Sequence, residues 1–598
     1  MQQLTYVPRA LRLTWLAAPR WTVAWAVLLI VQGILPASLV YLTKLTIDRL
    51  VVALNIRTWE QMQPAVGFIA AIAGLMVLSE VVQSSIDWIR AAQAELIHDH
   101  ITSLLHAQAM AVDLAFYESP AYHDRLDQAR SEAAGRSRAL LESVGGLVQN
   151  GITLAAMGAL LLPYGLWLPL AFLVSALPAL LVVMRFDRRM HRWWQTTTAA
   201  RRRVQYYDAL LTNSLTAAEL RLFGLGPHFQ SLYQGLRRRL RTERLALLRR
   251  QSLARLATSL LSLLVFGATL AWMVLRLVQG WLTLGDLALF YQAFQRGQTV
   301  IGSALSSVGQ LYANSLFLGN LFEFLALQPE VVDPARPLDA PWMLQHGIEF
   351  DGVTFCYPGS DRPALEDFSL TIPAGKVVAI VGANGAGKTT LIKLLCRFYD
   401  PQQGQIRLDG LDIRDVAVAE LRRRMTVLFQ FPVNHHATVA ENIALGDVTV
   451  TAEPSEVEAA ARYAGAHDFV SQLPHDYETM LGRWFGMDGV ELSGGEWQRI
   501  AMARAFYRQA PIILLDEPTS FMDSWAEADW FDRFRRLTQH RTAVIITHRF
   551  TIALRADIIH VMHDGQIVES GTHQELLRRD GLYAESWRTQ MQASLTSL

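Results

Sequence analysis

Cysteine is scarce: the 598-residue chain has two, Cys356 and Cys396. That is too few for a disulfide scaffold or a zinc cluster, and it fits a reducing compartment. Charge is scarce as well. Asp, Glu, Lys and Arg make up 18% of the chain, below the roughly one quarter usual in soluble domains. Formal net charge is zero, so composition supplies no pull toward nucleic acid. The opening stretch, MQQLTYVPRALRLTWLAAPR, lacks a short apolar core with a clear cleavage site. It reads as an amphipathic lead-in rather than a cleaved signal peptide. No cysteine precedes Cys356, so a leader-cleaving cysteine protease ahead of the apolar segments is not expected.

What is present is apolar and unevenly placed. Hydrophobic residues make up 51% of the chain. Trp21–Thr43 runs 23 positions without a charge or histidine, Gln61–Ser79 19, Ser143–Met184 42, Leu256–Leu275 20 and Gly297–Phe322 26. A bilayer-spanning helix needs about 20 mostly apolar residues. The 42-residue run is broken at Pro163-Tyr164-Gly165, so it holds two spans in a tight hairpin. Six spans are expected, near 21–44, 63–86, 143–162, 166–185, 256–278 and 284–310. Asp48, Glu80 and Arg296 fall near or within span ends, where charge is interfacial or functional.

The connections alternate in length. Long hydrophilic stretches follow the second and fourth spans, with apolar residues at helical spacing. They read as membrane helices continuing beyond the bilayer as rods. Breaks at 115–126 (AFYESPAYHDRL) and 219–233 (ELRLFGLGPHFQSLY) are candidates for short transverse helices. Arg185–Arg255 holds sixteen arginines against four acids, an excess that points to the cytoplasmic side. No reading helix or aromatic platform accompanies it, so no nucleic acid is expected as a partner. Residues 327–344, with four prolines, suit a linker. Before it lies a membrane domain (1–326); after it, 345–598 has α/β character.

VVAIVGANGAGKTTLIKLL (377–395) is a β-branched run, a glycine loop and a helix start. Gly382, Gly387, Lys388 and Thr389 fit the phosphate-binding pattern G-x-x-x-x-G-K-[ST]. Loop N–H groups, including those around Asn384, Gly385, Ala386 and Thr390, wrap phosphates; the lysine reaches the β/γ-phosphates and Thr389 holds Mg²⁺. PIILLDEPTS (511–520) ends a strand in Asp516 and Glu517. The first can complete Mg²⁺ ligation; the second can take a proton from, or orient, an attacking water. AVIITHRF (543–550) ends a strand at His548, and TVLFQFP ends one at Gln430, which could meet Mg²⁺ or water. Such strand ends are what a parallel sheet offers at its ligand edge.

With LSGGE (492–496) added, the carboxy-terminal part resembles an ATP-binding cassette (ABC) nucleotide-binding domain. The whole chain resembles an ABC exporter half-transporter. The fold class implied is an all-α polytopic membrane domain of six long transmembrane helices, followed by an α/β P-loop NTPase cassette with a helical subdomain. The resemblance implies ATP and Mg²⁺ as cofactors and assigns Tyr357 to adenine stacking. Glu517 becomes the catalytic base, His548 the switch histidine, and Gln430 the sensor of the membrane domain. Ser493, Gly494, Gly495 and Glu496 become the signature that meets the γ-phosphate on another subunit's P-loop, and Asp523 links the two sites. One cassette per chain then requires dimerisation, as a homodimer or with a second half-transporter.

The resemblance further implies ATP-driven export of a lipid, drug or peptide across the bilayer, from a multi-pass position in the cell inner (plasma) membrane with the cassette in the cytoplasm. Inward transport through the same fold and an ATP-gated channel are the alternatives. Gln32, Gln149, Asn150 and Tyr164 could touch cargo or hold spans together. His435 and His436 are adjacent and read as a surface loop rather than a metal pair. Two departures from the family stand out. Glu496 occupies a position usually held by Gln. RWFGMD (483–488) replaces a short acidic-glycine-arginine run, so Trp484 and Phe485 either meet the transverse turns or pack on the cassette itself.

Overall fold

The structure is a computed structural model that describes residues 6–56, 59–118, 120–214, 216–484, 486, 488–520, 522 and 524–596. It divides into two compact units. One comprises Met1–Met110 with His123–Leu327, the other Ala111–Tyr122 with Gln328–Leu598.

The first unit is helical. Its long helices are Pro19–Ile56, Trp59–Ala111, Pro120–Leu161, Trp167–Thr196, Gly226–Val278 and Leu284–Leu325. Four segments among the described residues are long and apolar enough to cross a membrane: Pro19–Leu54, Met62–Ala111, Ala139–Tyr164 and Gly226–Val278. Only helices can carry a chain through lipid this way, because their backbone polar groups are satisfied within the segment. Several run well past bilayer thickness, as the rod reading anticipates. The 53 residues of Gly226–Val278 span about 80 Å at 1.5 Å per residue.

Helices approach closely where side chains are small. A Cβ on Gly145 would lie 2.1 Å from Trp25, and one on Gly33 2.8 Å from Ile152. Polar side chains tie the helices together. Gln32 donates to Gln83 (3.2 Å), Gln93 to Thr22 (3.1 Å) and Thr153 to the Gly33 carbonyl (2.9 Å). At the turn that interrupts the 42-residue run, Tyr164 donates to Asp286 at 2.5 Å, and Lys44 reaches Asp286 at 2.7 Å and Tyr164 at 2.9 Å. Gln32 and Tyr164, sequence candidates for cargo contact, therefore have partners within the bundle.

The second unit holds two sheets. β1 (Gly347–Phe355), β2 (Leu365–Pro373), β4 (Gln403–Leu408) and β5 (Leu411–Asp412) form an antiparallel sheet in the order β2-β1-β4-β5. The other sheet, β10-β9-β3-β8-β7-β6, is built from β3 (Val377–Gly382), β6 (Met425–Leu428), β7 (Ile512–Asp516), β8 (Thr542–Ile546), β9 (Ile558–His563) and β10 (Gln566–Gly571). All its pairings are parallel except β10 on β9. β7 and β8 are buried along their whole length, the mark of a parallel strand covered on both faces. Their near-continuous Ile, Leu and Val runs follow from that double burial. A helical layer around Trp497, Ile500, Met502, Phe506, Trp530 and Phe534 forms a second core against this sheet.

Residues 111–122 lie in sequence between two long helices yet belong to this unit. They form a single helical turn, Leu114–Tyr117, and Leu114 and Ala115 pack on the core that includes Phe355, Leu391 and Tyr399. The second transverse element, Ala217–Leu222, is six residues long and lies in the first unit.

Candidate active site

The site is assembled at the carboxyl ends of parallel strands, where such sheets place their ligands. β3 runs into the loop 383–387 and then the helix Lys388–Leu395. Gly387 has φ 97°, and a Cβ there would fall 2.6 Å from the Ala364 carbonyl and 2.8 Å from the Met562 methyl. Only glycine fits this left-handed, crowded position. Lys388 donates at 2.8 Å to each of the Gly382 and Ala383 carbonyls. Burial pushes its ammonium pKa down, against the opposing pull of Glu517 and Asp516.

Asp516 ends β7 and is almost wholly buried. Its Oδ2 accepts a 2.9 Å bond from the Thr389 hydroxyl. Burial raises its pKa and the Thr389 bond opposes that rise. A buried carboxylate joined to a hydroxyl beside a phosphate loop is a hard, oxygen-only donor set, which suits Mg²⁺.

Glu517 follows with φ 51°. A non-glycine residue there costs on the order of 1–3 kcal/mol and persists only when its surroundings hold it. They do. Its N–H donates to the Ile546 carbonyl (2.9 Å), and its own carbonyl accepts from the Gln498 amide (3.0 Å) and the Ser520 hydroxyl (2.9 Å). This turn separates Glu517 from Asp516, so that one carboxylate binds Thr389 and the next faces two other strand ends. Oε1 lies 3.0 Å from His548 Nδ1, beyond β8, and Oε2 accepts from Gln430, beyond β6, at 3.2 Å. Three segments remote in sequence thereby meet on one carboxylate.

Tyr357 sits beside the same loop. Its hydroxyl is 3.1 Å from the Thr390 hydroxyl, and its ring meets Tyr399 edge-on at 5.5 Å. Lys393 Nζ lies 5.0 Å from the ring centre and bonds Glu118 at 2.6 Å, while Tyr399 donates to the other Glu118 oxygen at 2.5 Å. Burial would raise the Glu118 carboxyl pKa, but the Lys393 and Tyr399 bonds outweigh it and hold the group low.

Ser493, Gly494 and Gly495 open the helix Gly494–Tyr507. Ser493 is its N-cap and Glu496 closes a capping box: Glu496 Oε2 accepts from the Ser493 N–H (2.8 Å) and hydroxyl (2.7 Å). These groups satisfy donors that a helix start otherwise leaves open. Trp497 faces inward, into the core of the helical layer. Trp484 is 78% exposed and stacks on His436 with centroids 5.9 Å apart. It therefore touches the cassette's own loop while offering most of its surface outward. Phe485 and Asp523 lie outside the described residues. No group of three or more His, Cys, Asp or Glu able to hold a metal occurs among the described residues.

Sequence reasoning did not single out Gln498, Arg549, Lys393 or Glu118. Arg549 donates to the Met522 carbonyl at 3.0 Å and to Glu527 at 2.5 Å, bracing the chain next to His548. Gln498 and Arg549 each adjoin a motif residue, which was the available signal. Lys393 lies one helical turn beyond Thr389, and Glu118 carries no local signal at all.

Residues 365–520 match the family model described as ABC transporter. Over 555 residues the chain is 26% identical to the subtilin transport ATP-binding protein SpaT of Bacillus subtilis, covering 93% of this chain and 89% of that one. It is 43% identical to the ATP-dependent lipid A-core flippase of Syntrophus aciditrophicus, over 44% of this chain and 42% of the flippase. Against that relative, then, the chain spans less than half the length. Among solved structures, that of a bacterial Atm1-family ABC exporter with ATP bound matches with a TM-score of 0.80 at 27% identity, covering 96% of this chain and 98% of that one. With the matched domain, these relatives and the helical unit ahead of the cassette, the chain carries an ABC transporter domain and has the fold of an ABC exporter.

Proposed function

We propose that this protein hydrolyses ATP to export an amphipathic substrate, lipid or peptide in character, by alternating access in a dimer. The observation that carries the reading is the meeting of Gln430, Glu517 and His548 beside Thr389 and Asp516, in a chain whose other unit is built of long apolar helices. Relatives named for subtilin transport and for a lipid A-core support cargo of that kind.

Lys388 exchanges the Gly382 and Ala383 carbonyls for phosphate oxygens when nucleotide arrives, and Tyr357 lies against adenine. Glu517 orients the attacking water and accepts its proton, while His548 and Gln430 hold the carboxylate in place. Thr389 and Asp516, with Gln430 nearby, would hold Mg²⁺, which when bound neutralises charge on the phosphates. Asp523 connects the two sites. Gly494 and Gly495 offer helix-start N–H groups and Ser493 its hydroxyl to a phosphate held by a second subunit, with Glu496 holding the Ser493 N–H and setting the helix start. Closure around ATP favours one conformation of the helices by binding that state more tightly. Six spans per chain, twelve per homodimer, enclose the pathway in an inner (plasma) membrane with the cassette in the cytoplasm; pairing with a second half-transporter would complete the sites equally well.

The test is transport by purified protein in liposomes, with Glu517→Gln as comparison. The variant is expected to lose ATPase activity by on the order of 10²-fold or more, as loss of a general base does, and to stop ATP-dependent cargo movement. Movement that continues in the variant would refute hydrolysis-coupled transport.

A further inference from the structure

A basic cleft within the helical unit takes no part in the proposed ATP cycle. It is an open surface cleft of about 470 Å³ between the helices Trp167–Thr196 and Gly226–Val278. Arg189 and Arg192 line it from the first helix and Arg250 from the second, with Trp193, Leu247 and Glu243 between them.

The charge balance inside is one-sided. Glu243 is the single acid among the described residues that line the cleft, and both its oxygens are taken: Oε1 by Arg239 and Oε2 by the Trp193 indole, each at 3.0 Å. Among the described residues Arg189, Arg192 and Arg250 have no carboxylate partner. All three arginines are solvent-exposed and so open to an incoming anion, and guanidinium forks match phosphate oxygens in pairs.

The position along the helices narrows the ligand. Arg189 and Arg192 lie five and eight residues past Met184, where the 42-residue charge-free run ends; Arg250 lies six before Leu256, where the next begins. At 1.5 Å per residue these are roughly 7–12 Å beyond the apolar boundary, at the outer edge of a headgroup layer about 5–8 Å deep, which long arginine side chains can reach back into. The arginine excess sets this end on the cytoplasmic side, where anionic lipids concentrate. Trp193 and Leu247 add an apolar wall, and the volume falls within the range of about 300–1,000 Å³ common for ligand sites.

We propose that this cleft binds the phosphate headgroup of an anionic lipid at the cytoplasmic membrane boundary. The inference rests on the reading that these helices cross a membrane, and not on the direction of transport. Arg192 and Arg250 grip the phosphate from opposite helices, Arg189 adds charge, and Trp193 and Leu247 receive the glycerol end.

The experiment measures binding to the full chain in neutral detergent, without ATP, so a failure of the transport reading leaves it unaffected. The probes are short-chain phosphatidic acid, short-chain phosphatidylcholine and inorganic phosphate. Phosphatidic acid is expected to bind at least ten-fold more tightly than either other probe, and Arg192→Gln/Arg250→Gln to weaken it at least ten-fold. Leu247→Trp, which fills the cleft without altering charge, is expected to weaken it similarly, and basal ATPase activity reports that each variant is folded. Equal affinity for phosphatidic acid and inorganic phosphate would overturn the lipid assignment in favour of a free-anion site. Unchanged phosphatidic acid binding in both variants would overturn the site itself.

Discussion

Glu496 stands where the resembled family usually has glutamine, and either side chain can present an acceptor oxygen to the Ser493 N–H. Glu496→Gln is expected to keep both thermal stability and ATPase activity near wild type. Glu496→Ala is expected to lose about 1 kcal/mol at the helix start and to lower ATPase activity with it. A Gln variant as impaired as the Ala variant would show that the charge, not the cap, matters. His560 makes a separate prediction. Its Nδ1 lies 2.7 Å from the Ser570 hydroxyl across the β9–β10 pair, while its buried Nε2 has no partner among the described residues. Burial holds its pKa down at about 4, against 6.5 when exposed. The unfolded chain therefore takes up this proton first as pH falls. The stabilisation is fully present above pH 6.5 and is lost progressively toward pH 4, by on the order of 3 kcal/mol. Thermal midpoints compared at pH 7.5 and 5 should fall less in His560→Asn than in wild type; equal falls would assign the acid sensitivity elsewhere.

Among the elements, the start of the last long helix carries the most concentrated chemistry of the helical unit. Asp286 closes a capping box with Thr283, its Oδ2 accepting the Thr283 N–H at 2.8 Å, while Oδ1 receives Lys44 and Tyr164. One carboxylate thus caps a helix and ties it to two others. Gly285 permits the approach: a Cβ there would fall 2.4 Å from Asp48. Asp286→Asn leaves Lys44 without its counter-charge, a loss of about 3 kcal/mol where such pairs are buried. Faster thermal inactivation in detergent is expected, with recovery in Lys44→Met/Asp286→Leu. An Asp286→Asn variant as durable as wild type would show that the pair is not holding these helices. The turn Leu114–Tyr117 illustrates the opposite case of an element decided by its surroundings. Four residues make no stable helix alone; Leu114 and Ala115 settle on a core formed by residues more than two hundred positions away.

At the scale of the whole molecule, the chain carries a phosphate loop and a signature helix, and Ser493's side-chain bonds among the described residues go to Glu496. The proposed dimer makes each site from one protomer's Lys388 and its partner's signature segment. Lys388→Ala and Ser493→Arg are each expected to abolish ATPase activity alone. Coexpressed, they should form mixed dimers with one intact site and regain a measurable fraction of wild-type turnover. A mixture as inactive as its parents would place both halves of the site within a single chain.

Sequence by itself determined the parts whose physics is local. Charge-free runs of spanning length mark apolar helices, since lipid admits few charges. The strand–glycine loop–helix at 377–395 marks a phosphate site, since loop N–H groups and a helix start are all it requires. Tertiary structure decided what depends on distant groups meeting. The left-handed turn at Glu517 is held by nearby Ser520 but also by Ile546 and Gln498, which its local sequence does not specify. Glu118 reaches Lys393 and Tyr399 across some 275 residues. Arg189, Arg192 and Arg250, which have no carboxylate partner among the described residues, look in sequence like any solvated basic run. Only packing two helices side by side, with the acid that lines the space already occupied, makes them the wall of one cleft.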